Sequence, residues 1–251
     1  MPLPDARQIP LDSLIARVAQ GDRRAFDALY EGTSARLNAL CLSILKDRRE
    51  AEEVLEQVYI GIWKDAARFA DSGLSPMAWL VTQARDRAME RRRTLALPGP
   101  APGGDGDAVT LLRTAYLEGL DCRQLASRHG LSPDEARHAL HEGLERLSGH
   151  AADECDSLAA AEQALGLRTG PAPDPAQLAE WQERLARFAD GLTPVMAPAR
   201  ARQRIREHLG HGVAPLSVDP LERTPWWRGP FGIIVIVLIV ALAWYVWMGR
   251  G

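Results

Sequence analysis

The chain has 251 residues, 46% of them hydrophobic and 25% charged. That excludes bulk disorder and fits one to three compact units. Thirty Lys and Arg against 33 Asp and Glu leave a formal charge of −3, which excludes a uniformly basic nucleic-acid coat but allows a local basic patch. Cys41, Cys122 and Cys155 lie far apart with no CxxC pair, against a disulfide framework or a cysteine-rich zinc site. The first residues, MPLPD, hold no basic stretch followed by an apolar run, so no secretory signal is expected.

In chain order, almost every segment has helical period and none alternates convincingly like a strand. Asp12 stands where it caps a helix bearing Leu14, Ile15 and Val18, and Asp22 one bearing Phe26, Leu29 and Tyr30. Leu37, Leu40, Cys41, Ile44 and Leu45 form a third apolar stripe. Val54, Val58 and Ile62 recur at four-residue steps, which leaves Glu52, Glu53, Glu56 and Gln57 for solvent or a partner. Met77, Leu80, Val81, Ala84 and Ala88 line the next helix. Arg85, Arg87, Arg91, Arg92 and Arg93 on it outnumber Asp86 and Glu90 and suit phosphate contact. These elements make a first helical unit over residues 11–93.

A Pro/Gly stretch, LPGPAPGGDG, then sets a linker at 94–106. A second unit, 107–148, carries Val109, Leu112, Tyr116 and Leu117 on one helix and Leu125 and Ala126 on a short second one. Gly130 lies in the turn after them, and a third helix runs from Pro133. Ala126 followed four residues later by Gly130 has helix-turn-helix spacing. Across residues 94–150 five arginines face eight acids, an unusual balance for a DNA-binding unit. A third unit, 153–210, steps through Leu178, Trp181, Leu185, Phe188 and Leu192 on one face, and a last helix after Pro198 carries Ile205 and Leu209. After a juxtamembrane linker at 211–228, residues 229–249 include FGIIVIVLIVALAWYVWM, with Trp226 and Trp227 before it and Trp244, Tyr245 and Trp247 closing it. That length and those aromatic ends predict a single transmembrane helix. Arg223 and Arg228 before the span against Arg250 after it predict N-terminal domains in the cytoplasm, in a single-pass protein of the bacterial cytoplasmic membrane.

Three stretches of the first unit, LIARVAQGDRRAFDALY (Leu14–Tyr30), AEEVLEQVYIGIWKDAARF (Ala51–Phe69) and MAWLVTQARDRAMERRR (Met77–Arg93), together resemble region 2 of extracytoplasmic-function (ECF) sigma factors of the sigma-70 family. The resemblance implies that Glu52, Glu53, Glu56 and Gln57 meet the clamp helices of RNA polymerase core. It further implies that the arginines from Arg85 to Arg93 help hold the minus-10 promoter element, and that the loop Arg68 to Ser75 captures a flipped base. Trp79 stands where it either stacks beside an unpaired base or packs in the core. YLEGLDCRQLASRHGLSPDEARHALHEGLERL (Tyr116–Leu147) resembles region 4. There Ser132, Asp134, Glu135, Arg137, His138 and His141 would lie near base edges of the minus-35 element. AEQALGL (Ala161–Leu167) and AEWQERLARFADGLTPVMAPARARQRIREHLG (Ala179–Gly210) resemble the cytoplasmic part of anti-sigma factors of the anti-sigma-K type. By that resemblance Trp181, Leu185 and Phe188 pack against the sigma part of the same chain.

The expected architecture is all-α: a region 2 bundle, a helix-turn-helix region 4-like domain, an anti-sigma-like helical segment and one transmembrane helix. The expected function is a membrane-tethered, sigma-factor-like regulator of transcription initiation, restrained by its own third unit. Its expected partners are RNA polymerase core, promoter DNA and the membrane, with another sigma or anti-sigma factor or a releasing protease as further candidates. The alternative is a non-transcribing interaction protein that binds another sigma factor or polymerase at the membrane, which the acidic second unit favours. No catalytic constellation, cofactor motif or metal-ligand spacing is present in the sequence, so no enzyme is expected.

Overall fold

The computed structural model describes residues 9–95, 106–148, 155–167 and 174–210. Within them lie the helices α1 (Leu11–Ala19), α2 (Arg23–Leu45), α3 (Arg48–Asp65), α4 (Pro76–Leu95), α5 (Ala108–Glu118), α6 (Cys122–His129), α7 (Pro133–Ser148), α8 (Cys155–Leu165), α9 (Pro175–Ala186) and α10 (Ala199–His208). Short 3₁₀ turns follow α3 (Ala66–Phe69) and α9 (Arg187–Gly191). Residues 1–209 form one unit; a second, 210–251, lies outside the described residues apart from Gly210.

Short acidic caps set the first boundaries. The Asp22 carboxylate accepts from the backbone N–H groups of Arg24 and Ala25 at the start of α2, and Asp47 accepts from those of Arg49 and Glu50 at the start of α3. Asp12 is not a cap: α1 begins one residue before it, after Pro10, and Asp12 sits in the first turn, where the helix dipole favours an acid. The two apolar stripes from Phe26 to Leu45 lie on the single helix α2, because no proline interrupts it and it ends only at Lys46, which is left-handed. α2 packs on α3 and α4, with α1 across it. Phe26, Tyr59 and Trp63 meet edge to face, and the Thr33 and Tyr59 hydroxyls share a buried 2.6 Å hydrogen bond.

The helix-turn-helix forms for local reasons. Asp121 and Gln124 make a capping box on α6, and Gly130 adopts φ +67° in the turn before α7. α7 can lie close on α5 because residue 143 is glycine: a Cβ there would stand 2.5 Å from the Ala108 carbonyl oxygen. α5 in turn rests on α2, where the Ser43 hydroxyl donates to the Leu117 carbonyl at 2.6 Å.

The buried apolar cluster runs without a break from Leu14 through Leu112 and Leu140 to Leu165, Trp181, Leu185 and Ile205. The three sequence segments therefore share one core.

The expectation of a transmembrane helix requires correction. No helix among the described residues is long and apolar enough to cross a membrane. Even the longest, α2, with 23 residues, carries Arg23, Arg24, Asp27, Glu31 and Arg36, and charges on that scale are costly in hydrocarbon. Residues 229–249 lie outside the described residues. The localisation as a single-pass protein of the bacterial cytoplasmic membrane falls with the same finding.

Candidate functional site

The acidic face of α3 does not look into solvent. Glu52 is only 2% exposed and Glu56 is also buried, whereas Gln57 is exposed. The cover is α10, which lies against α3 through Ala201 and Ile205. Arg200 donates from Nε and Nη2 to the two oxygens of Glu52 at 2.6–2.8 Å, and Arg204 Nη2 reaches Glu52 Oε1 at 2.6 Å. Arg204 Nε and His208 Nδ1 each stand 3.2 Å from Glu56. On the α2 side, Arg206 pairs with Asp27, and Arg202 with Asp27 and Glu31. The hydrogen bonds from Arg200 hold the Glu52 carboxyl below the usual glutamate range, against the opposing effect of burial. Glu53 takes a different partner, as Arg91 bridges Glu50 at 2.6 Å and Glu53 at 3.3 Å.

Of the five arginines of α4, Arg91 is held by Glu50 and Glu53, and the other four divide into two groups. Arg85 is buried and donates to three carbonyls at helix C-terminal ends: Tyr116 at 3.2 Å, Ala164 at 3.4 Å and Leu165 at 2.7 Å. Its guanidinium also lies 4.4 Å from the Tyr116 ring centre. Burial pushes its pKa down. Arg92 is likewise buried, on the Ile44 carbonyl at 2.8 Å. Arg87 and Arg93 are exposed, and Arg87 pairs with Glu90. Trp79 packs in the core, 5.6 Å from the Phe69 ring.

The loop between α3 and α4 lies beneath α9. Both oxygens of Glu183 are engaged by Ser75, one by its backbone N–H at 3.0 Å and one by its hydroxyl at 2.9 Å. Gly73 faces Ala179, which a Cβ on the glycine would meet at 3.6 Å. A cavity of about 590 Å³ remains between the loop and α9, lined by Arg68, Asp71, Trp79, Leu178 and Gln182 among others. Trp181 and Leu185 are buried, and Phe188 packs on Tyr116 of α5 with ring centres 6.1 Å apart.

α7 shows its N-terminal face. Ser132, Asp134, Glu135, Arg137 and His138 are exposed. Ser132 and Glu135 bond one another as a capping box, and Arg137 pairs with Asp134. His141 instead turns to Glu162 of α8 at 3.1 Å. No group of His, Cys, Asp and Glu among the described residues is arranged to hold a metal ion.

Sequence reasoning missed Asp27 and Glu31, the Arg200–Arg206 series and Glu183. The signal for the second of these was in ARARQRIR: arginines at every other position around Ala201 and Ile205, a basic amphipathic helix that matches an acidic face elsewhere in the chain.

Residues 29–96 match the Sigma-70 region 2 family. The chain is similar to the ECF RNA polymerase sigma factor SigK of Mycobacterium ulcerans, at 34% identity over 36% of this chain and 48% of that protein. The SigK of Mycobacterium bovis is 37% identical over 33% of this chain and 44% of its own length. That of Mycolicibacterium vanbaalenii is 40% identical over 34% and 43%. The chain thus spans about half the length of the curated relatives it matches.

Proposed function

We propose that this chain is a sigma-factor-like regulator of transcription initiation, which binds RNA polymerase core and promoter DNA and is restrained by its own C-terminal helices acting as an anti-sigma-like segment. The observation that carries this reading is the seat of α10. Its arginines occupy Glu52 and Glu56, two of the acids that the resemblance assigns to the polymerase clamp. α9 lies over the loop and α4 start assigned to the minus-10 element. Arg85, assigned to DNA, is consumed by the carbonyls of α5 and α8. Because the covering helices are part of the chain, their effective concentration is set by the connecting segments rather than by supply. In this reading Arg87 and Arg93 are the α4 cations left for phosphate, and an opened molecule regains Arg85.

The test compares binding of core polymerase by the intact chain and by a Leu185→Asp variant, which places a charge in the seat of α9. The expected result is weak binding by the intact chain and at least about tenfold tighter binding by the variant, a gain of about 1.4 kcal/mol. Equal, tight binding by both would remove the restraint, and binding by neither, with the variant's helical circular dichroism unchanged, would remove the sigma reading.

A second reading, a non-transcribing protein that binds another sigma factor or polymerase, draws on α7. Its exposed start holds Asp134 and Glu135 against Arg137, and the Ser132 N–H is already given to Glu135, which leaves few donors for bases. Open-complex formation on promoter DNA by the Leu185→Asp variant would exclude it.

A further inference from the structure

We infer that the C-terminal segment releases in two steps: α10 lifts first from the acidic groove of α2 and α3, while α9 stays seated on α4. The inference rests on the restraint proposed above and adds an order to it.

The two helices are held by different forces. α10 buries only Ala201 and Ile205, and apart from Arg202 lying 5.8 Å from the Tyr30 ring centre the rest of its hold is ionic, Arg200 and Arg204 on Glu52 and Arg202 and Arg206 on Asp27. The arginine side of these pairs reaches solvent, with side-chain exposures of 71% for Arg200 and 42% for Arg204. Pairs open to water are screened by salt. α9 buries Trp181, Leu185 and Ala186 in the shared core, and Glu183 grips Ser75 through both oxygens. Apolar burial of that kind does not weaken with ionic strength.

The connection between them permits separate motion. Residues 193–198 run without helix from the 3₁₀ turn to α10. Midway, the strap is pinned to α2: the Val195 N–H donates to the Ala35 carbonyl at 3.0 Å, and Asn38 Nδ2 donates to the Val195 carbonyl at 3.1 Å. The pin extends to Met196, whose side chain is 88% exposed but whose carbonyl also accepts from Asn38 Nδ2 at 3.4 Å; beyond it stand Ala197 and Pro198, which precedes α10. A backbone change confined to residues 197–198 swings α10 away and leaves everything up to Met196 in place. The first step uncovers Glu52 and Glu56 and frees Asp27 and Glu31 from their arginines; the second frees Ser75 from Glu183.

Hydrogen exchange of the intact chain, read by mass spectrometry at about 50 mM and about 500 mM salt, tests the order without polymerase. Peptides covering 200–208 are expected to exchange about tenfold faster at high salt, while those covering 177–186 and the interior of α3 stay unchanged. Glu52→Gln at low salt is expected to reproduce that pattern. An Arg200→Gln/Arg204→Gln variant, altered only on the solvent side, gives the same readout should Glu52→Gln disturb α3. Parallel acceleration of α9 and α10 would overturn stepwise release, and unchanged exchange of α10 would overturn the ionic latch. Either outcome is separate from the sigma reading, which stands or falls on polymerase binding.

Discussion

Removing the Arg85 guanidinium leaves three carbonyl oxygens, those of Tyr116, Ala164 and Leu165, without the donor that now reaches each of them. Arg85→Met keeps most of the volume and deletes the donors. It is expected to lower stability by about 2 kcal/mol, seen as an earlier midpoint in urea, with Arg85→Lys recovering part of the loss. Glu52 sets a pH dependence of definite sign. Its carboxyl is held low, first by hydrogen bonds from Arg200, so its contribution is complete above the ordinary glutamate pKa of about 4.3 and fades as pH falls through the lower folded value. Stability measured against pH is therefore expected to drop in that acid window for the native chain and to be flatter there for Glu52→Gln.

Among the helices, close approach decides more than propensity. α5 and α7 meet at Gly143, and a methyl group there would press on the Ala108 carbonyl and on Leu112. Gly143→Ala raises helix propensity, yet it is expected to destabilise by about 1–3 kcal/mol because the two backbones must part. Thermal unfolding followed by circular dichroism checks the sign: a higher midpoint would mean that α7 shifts at no cost. The same contrast applies to caps. Asp22, Asp47 and Asp121 each start a helix by a bond to nearby backbone, so their effect is local.

For the molecule as a whole, the continuous core binds the three segments into one cooperative body. Leu185 of α9 is fully buried in a cluster that reaches Leu14 and Leu112. Leu185→Ala is expected to cost about 2–5 kcal/mol and to lower one shared unfolding transition in calorimetry. A separate early transition with the main one unmoved would show that α8 to α10 fold as an independent group. Full unfolding and the lifting of α10 are compatible, since local opening draws on a small part of the total stability.

The helices, the Asp22 cap, the helix-turn-helix and the sigma-like first segment were legible in the residues, because period, capping and turn chemistry act over a few positions, whereas Asp12 has the look of a cap and is not one. Spacing showed which side of α3 carries Glu52 and Glu56, and the bundle core follows from the apolar stripes. The cover over that face was not legible: Arg200 and Glu52 are 148 positions apart, and only the folded chain pairs them. Arg85 makes the same point, since a helical arginine among four others reads as a phosphate ligand until tertiary packing buries it under the ends of α5 and α8. Local sequence thus determined what each helix offers. Long-range packing decided which of those offers are already taken, because burial and charge pairing depend on neighbours that periodicity does not name.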